Sequence, residues 1–387
     1  MSLNGSAYIV GAYEHPTRKA DELSVARLHA DVAKGALADA GLSASDIDGY
    51  FCAGDAPGLG TTTMVEYLGL KVRHVDSTEC GGSAPILHVA HAAEAIAAGR
   101  CNVALITLAG RPRAAGAALA LKAPDSDAPD VAFELPFGPA TQNLYGMVAR
   151  RHMHEFGTTS EQLAWIKVAA SHHAQHNPDA MLRNVVTVED VVNSPMIADP
   201  LHRLDCCVMS DGGGALIVAR PEIARQLKRP LVKIKGTGEA PKHARGGDID
   251  LTWSAAAWAG PAAFAEAGVT PADIKYASLY DSFTITVLMQ LEDLGFCKKG
   301  EGGRFVADGG LISGVGRLPF NTDGGGLCNN HPANRGGVTK VIEAVRQLRG
   351  EAHPAVQVKD CDLALASGIG GALASRHTAA TLILERI

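Results

Sequence analysis

The chain has 387 residues and a formal charge of −6, with 47% hydrophobic, 20% charged and 5% aromatic residues. The acidic excess argues against an electrostatic nucleic-acid binder, and polar residues interrupt every apolar run well before the roughly 20 residues of a membrane span. The length predicts two or three domains that bury their own cores without a metal or disulfide staple, and a start with neither a basic region nor a long apolar segment predicts a cytoplasmic location.

Residues 36–48, ALADAGLSASDID, set up the first recurring pattern. An Ala-rich helix stops at Gly41, and Ser43 to Asp46 forms a helix-start box. AFAEAGVTPADIK at 263–275 repeats it with Gly268, Thr270 and Asp273. GGSAPILHVAHAAEAIAAG at 81–99 then reads as a Gly-rich loop running into a helix, and HPANRGGVTKVIEAVRQLRG at 331–350 has the same shape. Apolar strands opening at Cys101 and Cys361 follow each copy. Three segments repeated in order predict two similar α/β halves with largely parallel sheets. Residues 111–200 fit neither half. They hold the Pro-rich runs RPRAAG and ELPFGP and two predicted helices, 142–157 and 160–176. This is read as an insertion walling one face of a ligand site. The resulting division is 1–110 with 201–232, the insertion 111–200, and 233–387.

Eight cysteines occur with no C-x-x-C pair, so neither zinc-ribbon nor thioredoxin spacing is present. Most are expected to be small buried hydrophobes. Cys80, in VDSTECGGSAP, differs because it precedes a predicted helix with Pro85 in the first turn. A helix N-terminus favours a thiolate, and Gly81 and Gly82 allow close approach of an acyl group. A buried strand-end cysteine is the alternative. In LPFNTDGGGLCNNHPANRGG, three glycines precede Cys328, Asn330 and His331. By the repeat, His331 lies on the counterpart of the Cys80 loop, which pairs a thiol with an imidazole as acyl transfer requires. Tyr280-Asp281-Ser282-Phe283 ends a strand and is placed to meet a ligand. The spacing of His172, His173 and His176 allows a metal but fits a solvated helix face better, so no metal site is expected. His152 and His154 are read as exposed.

These residues resemble the thiolase superfamily, in particular the sterol-carrier-protein-x thiolase-like subgroup. The resemblance spans the chain and is strongest in MIADPLHRLDCCVMSDGGGA, YDSFTITVLMQLEDLGFCKKGE, GRLPFNTDGGGLCNNHP and GIGGAL. It implies a duplicated αβαβα five-layer core with an inserted loop domain. It also implies an acyl-CoA substrate with coenzyme A as co-substrate or product, no permanently bound cofactor, and a homodimer. A small zinc-ribbon/OB-fold partner subunit is a further implication. Carried over by position, Cys80 is the nucleophile, although aligning Gly82-Ser83 with the family's glycine and the small residue after it puts Glu79 in that slot. His331 matches the family histidine, with Asn330 in place of glycine. Tyr280 stands where the family has His or Asn, and Ser367 is nearest the absent late cysteine. Gly82, Ser83, Asn330, Gly370 and Gly371 are the implied substrate-binding residues, and Cys328 or Tyr280 the implied second acid/base. Three functions follow: Claisen or thiolytic acyl transfer through Cys80 and His331, a retro-aldolase using Tyr280 or His331, or a non-catalytic acyl-CoA-binding subunit.

Overall fold

The computed structural model describes residues 2–53, 56–116, 137, 140–243, 249–373 and 376–387. Most of the ELPFGP run lies outside the described residues. In the first half the order is β1 (Tyr8–Glu14), α1 (Val25–Ala40), β2 (Gly49–Phe51), α2 (Thr61–Leu68), β3 (His74–Asp76), α3 (Ala84–Ala97) and β4 (Val103–Gly110). Then come α4 (Thr141–Phe156), α5 (Ser160–Ala174), α6 (Val188–Val192) and the hairpin β5 (Met196–Ala198) with β6 (Leu201–His202). β7 (Gly212–Ala219) and α7 (Pro221–Ala224) follow. The second half holds β8 (Val232–Lys242), α8 (Ala256–Ala267), β9 (Tyr276–Leu279), α9 (Thr284–Asp293), α10 (Gly302–Val306), α11 (Gly325–Cys328), α12 (Gly337–Arg349), β10 (Leu363–Gly371) and β11 (His377–Arg386).

The repeat is visible in the strand order. Nine strands run β3-β2-β4-β7-β1-β8-β11-β10-β9. From the β1–β8 junction outward, β1-β7-β4-β2 mirrors β8-β11-β10-β9. Each half combines a parallel pair, β2 with β4 or β9 with β10, and antiparallel pairs inward from it. The first half continues to β3, parallel to β2. In the second half a single parallel bridge from Ala277 to Phe320 occupies that place. The two helix-start boxes are 3-10 turns, Ala44–Asp46 and Pro271–Asp273, closed by the Asp46 and Asp273 carboxylates. Gly41 and Gly268 end α1 and α8 at φ +70° and +67°, a conformation that costs glycine little.

Successive side chains of a strand face opposite ways, and this sorts the core into layers. Phe51, Ile106, Ala364, Ala366 and Leu382 face inward onto α3 and α12, which pack against each other between the two halves. Tyr50 and Leu105 face α1 on the first half's outer side, whereas Leu365 and Ile383 face α8 and α9 on the second half's outer side. The order is therefore helix, sheet, helix, sheet, helix, the thiolase-like α/β arrangement. Helices α4 and α5 extend the outer core of the second half. Among the described residues, no helix is long and apolar enough to cross a membrane.

Candidate active site

Four chain segments converge where the central helices begin: the turn before α3, the end of β9, the loop between α11 and α12, and the end of β10. Residues 81–83 form a 3-10 turn with Cys80 as its N-cap. Gly81 sits at φ +65°, and its N–H donates to the carboxylate of the exposed Glu79 at 2.8 Å. The Cys80 carbonyl accepts from Ser83 Oγ at 2.8 Å and Thr378 Oγ1 at 3.1 Å, and it lies against Gly370. The Ser83 hydroxyl is thus engaged within the turn. The Cys80 thiol is half-buried, and its pKa is raised by burial first and then by Glu79, Glu239 and Asp76. The thiolate expected from the helix N-terminus is not favoured, because burial raises the thiol pKa and the nearby carboxylates add to it. His91 lies between two of these acids, 2.7 Å from Asp76 and 3.3 Å from Glu239. Those hydrogen bonds raise its pKa to about 10.

Tyr280 leaves β9 with its N–H on Ser367 O and its carbonyl accepting from Gln290 Nε2 at 2.6 Å. Its ring covers Gly82, where an added Cβ would collide with the phenol carbons and with Ile369 O. Burial raises the phenol pKa well above its ordinary value. The hydroxyl points toward Ala333 O at 3.5 Å. Asp281, the next residue, is buried and accepts from the N–H groups of Gly326 and Leu327 at 2.8 and 3.1 Å. Lys340 pairs with it at 2.7 Å. Asp281 therefore builds the α11 turn.

His331 meets Tyr280 edge-on, with ring centroids 5.4 Å apart. Its Nε2 is buried with no hydrogen-bond partner among the described residues. Burial lowers the imidazole pKa to about 4, with Asp281 opposing. The turns Gly81–Ser83 and Ala333–Gly336 pack together, so the two repeated loops do meet. Asn330 is the expected substrate-binding residue of this loop. Its amide is buried, with Nδ2 donating to Glu14 at 2.9 Å and Oδ1 accepting from Ser210 Oγ at 2.7 Å. Gly371 is at the exposed end of β10, where its carbonyl accepts from Tyr145 Oη of α4 at 3.4 Å.

Cys328 is fully buried; burial raises its thiol pKa, opposed by Lys167. Lys167 also donates to Leu327 O at 2.6 Å. His152, expected on an exposed stretch, is buried between Thr158 and Glu292 at 2.9 and 3.0 Å. His173 accepts from Ser313 N–H at 2.9 Å. No group of three or more His, Cys, Asp or Glu among the described residues is arranged to hold a metal. Sequence reasoning missed the charges behind the site, the buried Glu14, Asp323, Lys340 and Glu343 and the partly buried Arg18 and Arg346. The Glu14–Arg18 and Glu343–Arg346 spacings, ion pairs of 2.8 and 3.4 Å in the structure, were their local signals.

Residues 238–386 match the Thiolase C-terminal domain-like family. The chain is 34% identical over 369 residues to an acetyl-CoA acetyltransferase of Methanothermobacter thermautotrophicus, covering 91% of this chain and 92% of that protein. It is 36% identical over 381 residues to the 17-hydroxy-3-oxo-4-pregnene-20-carboxyl-CoA lyase of Mycobacterium tuberculosis, covering 90% and 92%. Among solved structures, the Ltp2-ChsH2(DUF35) aldolase superposes with a TM-score of 0.88 at 34% identity, over 99% of this chain and 98% of that one. Fold and similarity over nine-tenths of its length agree: the chain is a thiolase-like enzyme belonging to the thiolase superfamily, in the sterol-carrier-protein-x thiolase-like subgroup.

Proposed function

We propose that this enzyme breaks or forms the Cα–Cβ bond of a CoA thioester, and that Tyr280 and His331 carry the proton transfers. One observation carries the reading. The Tyr280 phenol and the His331 imidazole face each other edge-on with ring centroids 5.4 Å apart, and His331 Nε2 is buried with no hydrogen-bond partner among the described residues, which leaves it to accept a substrate proton. Burial lowers the imidazole to about 4 and raises the phenol well above its usual value, so the imidazole is neutral and the phenol protonated. The neutral His331 Nε2 accepts the proton of a β-hydroxyl group. The Cα–Cβ electrons pass to the thioester, a ketone or aldehyde leaves, and Tyr280 O–H protonates the enolate at Cα. The tyrosinate recovers its proton from the imidazolium, so the net change is one proton moved from oxygen to carbon.

Acyl transfer through Cys80 and His331 is the second reading, favoured by the contact between their two turns. There the thiol attacks the thioester or 3-oxo carbonyl, with N–H groups near Gly370 and Gly371 on the oxyanion. In either case α4 and α5 of the 111–200 insertion wall the acyl site, where Tyr145 stacks on Phe283 with ring centroids 4.5 Å apart. The remaining halves are 1–110 with 201–232, and 233–387. A second copy would dock at the β3 edge, where Val75 is exposed. A small zinc-ribbon/OB-fold subunit would complete the CoA site, by analogy with the DUF35 partner of the aldolase. A cytoplasmic location is consistent with these roles.

The test uses 3-hydroxy-3-methylbutyryl-CoA, which retro-aldol cleavage converts to acetone and acetyl-CoA, and acetoacetyl-CoA with CoA for thiolysis. Tyr280→Phe should reduce cleavage by about 10²-fold or more, while Cys80→Ala stays near the parent rate. An acyl adduct on the intact protein that disappears in Cys80→Ala would establish the second reading instead.

A further inference from the structure

We infer that Glu14, at the end of β1, is a positioning residue for His331, acting across the two halves through Asn330 and Ser210. This rests on the reading that His331 acts on the substrate. Glu14 is buried and accepts from Asn330 Nδ2 at 2.9 Å. A carboxylate can only accept, so it fixes which end of the amide faces it. Asn330 Oδ1 is thereby turned to Ser210, whose hydroxyl donates to it at 2.7 Å. With its proton so directed, Ser210 Oγ accepts the backbone N–H of His331 at 2.8 Å.

A flipped amide would reverse this. It would present N–H groups to Ser210 and make them compete with the His331 N–H for one oxygen, leaving the serine proton without an acceptor. Glu14 is itself held from both halves, by Arg18 at 2.8 Å and Arg346 at 3.3 Å. Arg18 also donates to Asn329 Oδ1 at 2.8 Å, fixing the neighbouring residue of the same loop. Asn330, which stands where the family pattern has glycine, is therefore the link that locks the histidine loop to the first half.

The polarity of the Glu14–Asn330 bond can be exchanged. Glu14→Gln removes the obligate acceptor, and Asn330→Asp places two carboxylates face to face. The double variant restores one bond with donor and acceptor swapped: the new amide at position 14 donates to the new carboxylate at position 330, whose second oxygen remains for Ser210. The readout is the imidazole resonance of His331 in ¹⁵N-histidine-labelled protein, assigned by its loss in His331→Gln, with thermal melting as the check on folding. Each single variant should move or broaden that resonance and lower kcat on 3-hydroxy-3-methylbutyryl-CoA by about 10- to 100-fold with KM little changed, as a displaced catalytic group does. The double variant should recover both. An unmoved resonance in folded single variants overturns the inference, as does a double variant perturbed as much as the singles combined. If the singles do not fold, a folded double variant with the parent resonance supports it, and a misfolded double overturns it. Turnover surviving in His331→Gln would refute the role of His331 alone, and the resonance would still decide the role of Glu14.

Discussion

Tyr280 and His331 lie edge to face, at 61° and 5.4 Å between ring centroids, with Gly82 beneath the phenol. One residue ends a strand of the second half, and the other sits in the loop leading to a central helix. Gly82 belongs to the equivalent loop of the first half. The three positions meet because the halves stack with α3 and α12 between them, so the site is a product of the duplication. Its chemistry depends on burial. The same desolvation that keeps the imidazole neutral keeps the phenol protonated.

Gly82→Ala tests that packing. Gly82 has no positive φ, so backbone strain is not the issue. The new methyl group would strike the Tyr280 ring and the Ile369 carbonyl, and a carbonyl in β10 cannot move aside without breaking the sheet. Overpacking of this kind costs about 1–3 kcal/mol. The expected outcome is a lower melting temperature and a larger loss of turnover than of stability, because the phenol is displaced first. Parent-like kinetics would mean that the ring has room to shift.

Cys80 should be slow to alkylate. Burial and three carboxylates raise its thiol pKa, so little thiolate exists at neutral pH. Iodoacetamide at pH 7.5, followed by peptide mass spectrometry, should label Cys80 more slowly than a free thiol in solution. His91→Gln removes the cation between Asp76 and Glu239 and should slow labelling further. Rapid labelling at pH 6 would contradict the raised pKa and strengthen the acyl-transfer reading.

What was legible in the sequence was local. Ser43–Asp46 and Thr270–Asp273 close their turns over three residues, and the glycine stops after α1 and α8 need nothing distant. Periodicity and repetition were enough for the halves and for the pairing of the Cys80 and His331 loops. The inward turn of Asn330 was not legible, because its partner Glu14 is 316 residues away. His152 looked exposed beside two arginines, yet Glu292, 140 residues on, buries it. The sign of the Cys80 shift is set first by burial, with Glu239, brought near by β8, adding to it. Motif spacing encodes turns and caps; charge environments arise from contacts that only the folded sheet creates.

Acid should unfold the protein through its neutral histidines. Burial lowers His29, His88, His331 and His377 to about 4 and His173 to about 3, against 6.5 when exposed. A depressed histidine contributes stability that is complete above pH 6.5 and lost as pH falls toward its folded value, because the unfolded chain binds the proton first. Glu343, raised to about 7 by burial, works the other way and loses its contribution as pH rises from 4.5 through 7. Asp205, Asp293 and Asp323 are raised by burial too, but five imidazoles titrate across this range, so the denaturant midpoint should fall steadily from pH 6.5 to pH 4. A flat profile over that range would show that these imidazoles titrate normally.

The Lys340–Asp281 pair, both side chains buried and 2.7 Å apart, should show strong coupling. Asp281 has two further donors, the N–H groups of Gly326 and Leu327, so removing the lysine leaves a charged carboxylate held only by backbone. Lys340→Met should therefore cost about 3–5 kcal/mol, the usual result of stranding one buried charge. Lys340→Met combined with Asp281→Asn removes the charge with its partner, and the amide oxygen can still accept from one of the two N–H groups. The double variant should recover a good part of the loss in urea denaturation. It should nevertheless turn over slowly, since a neutral amide holds the α11 turn less firmly and Gly326 of that turn lies beside the His331 ring. Additive losses in the double-mutant cycle would show that Asp281 supports the turn independently of Lys340. Full activity in the double variant would show that His331 is placed by Ser210 and Asn330 without help from this turn.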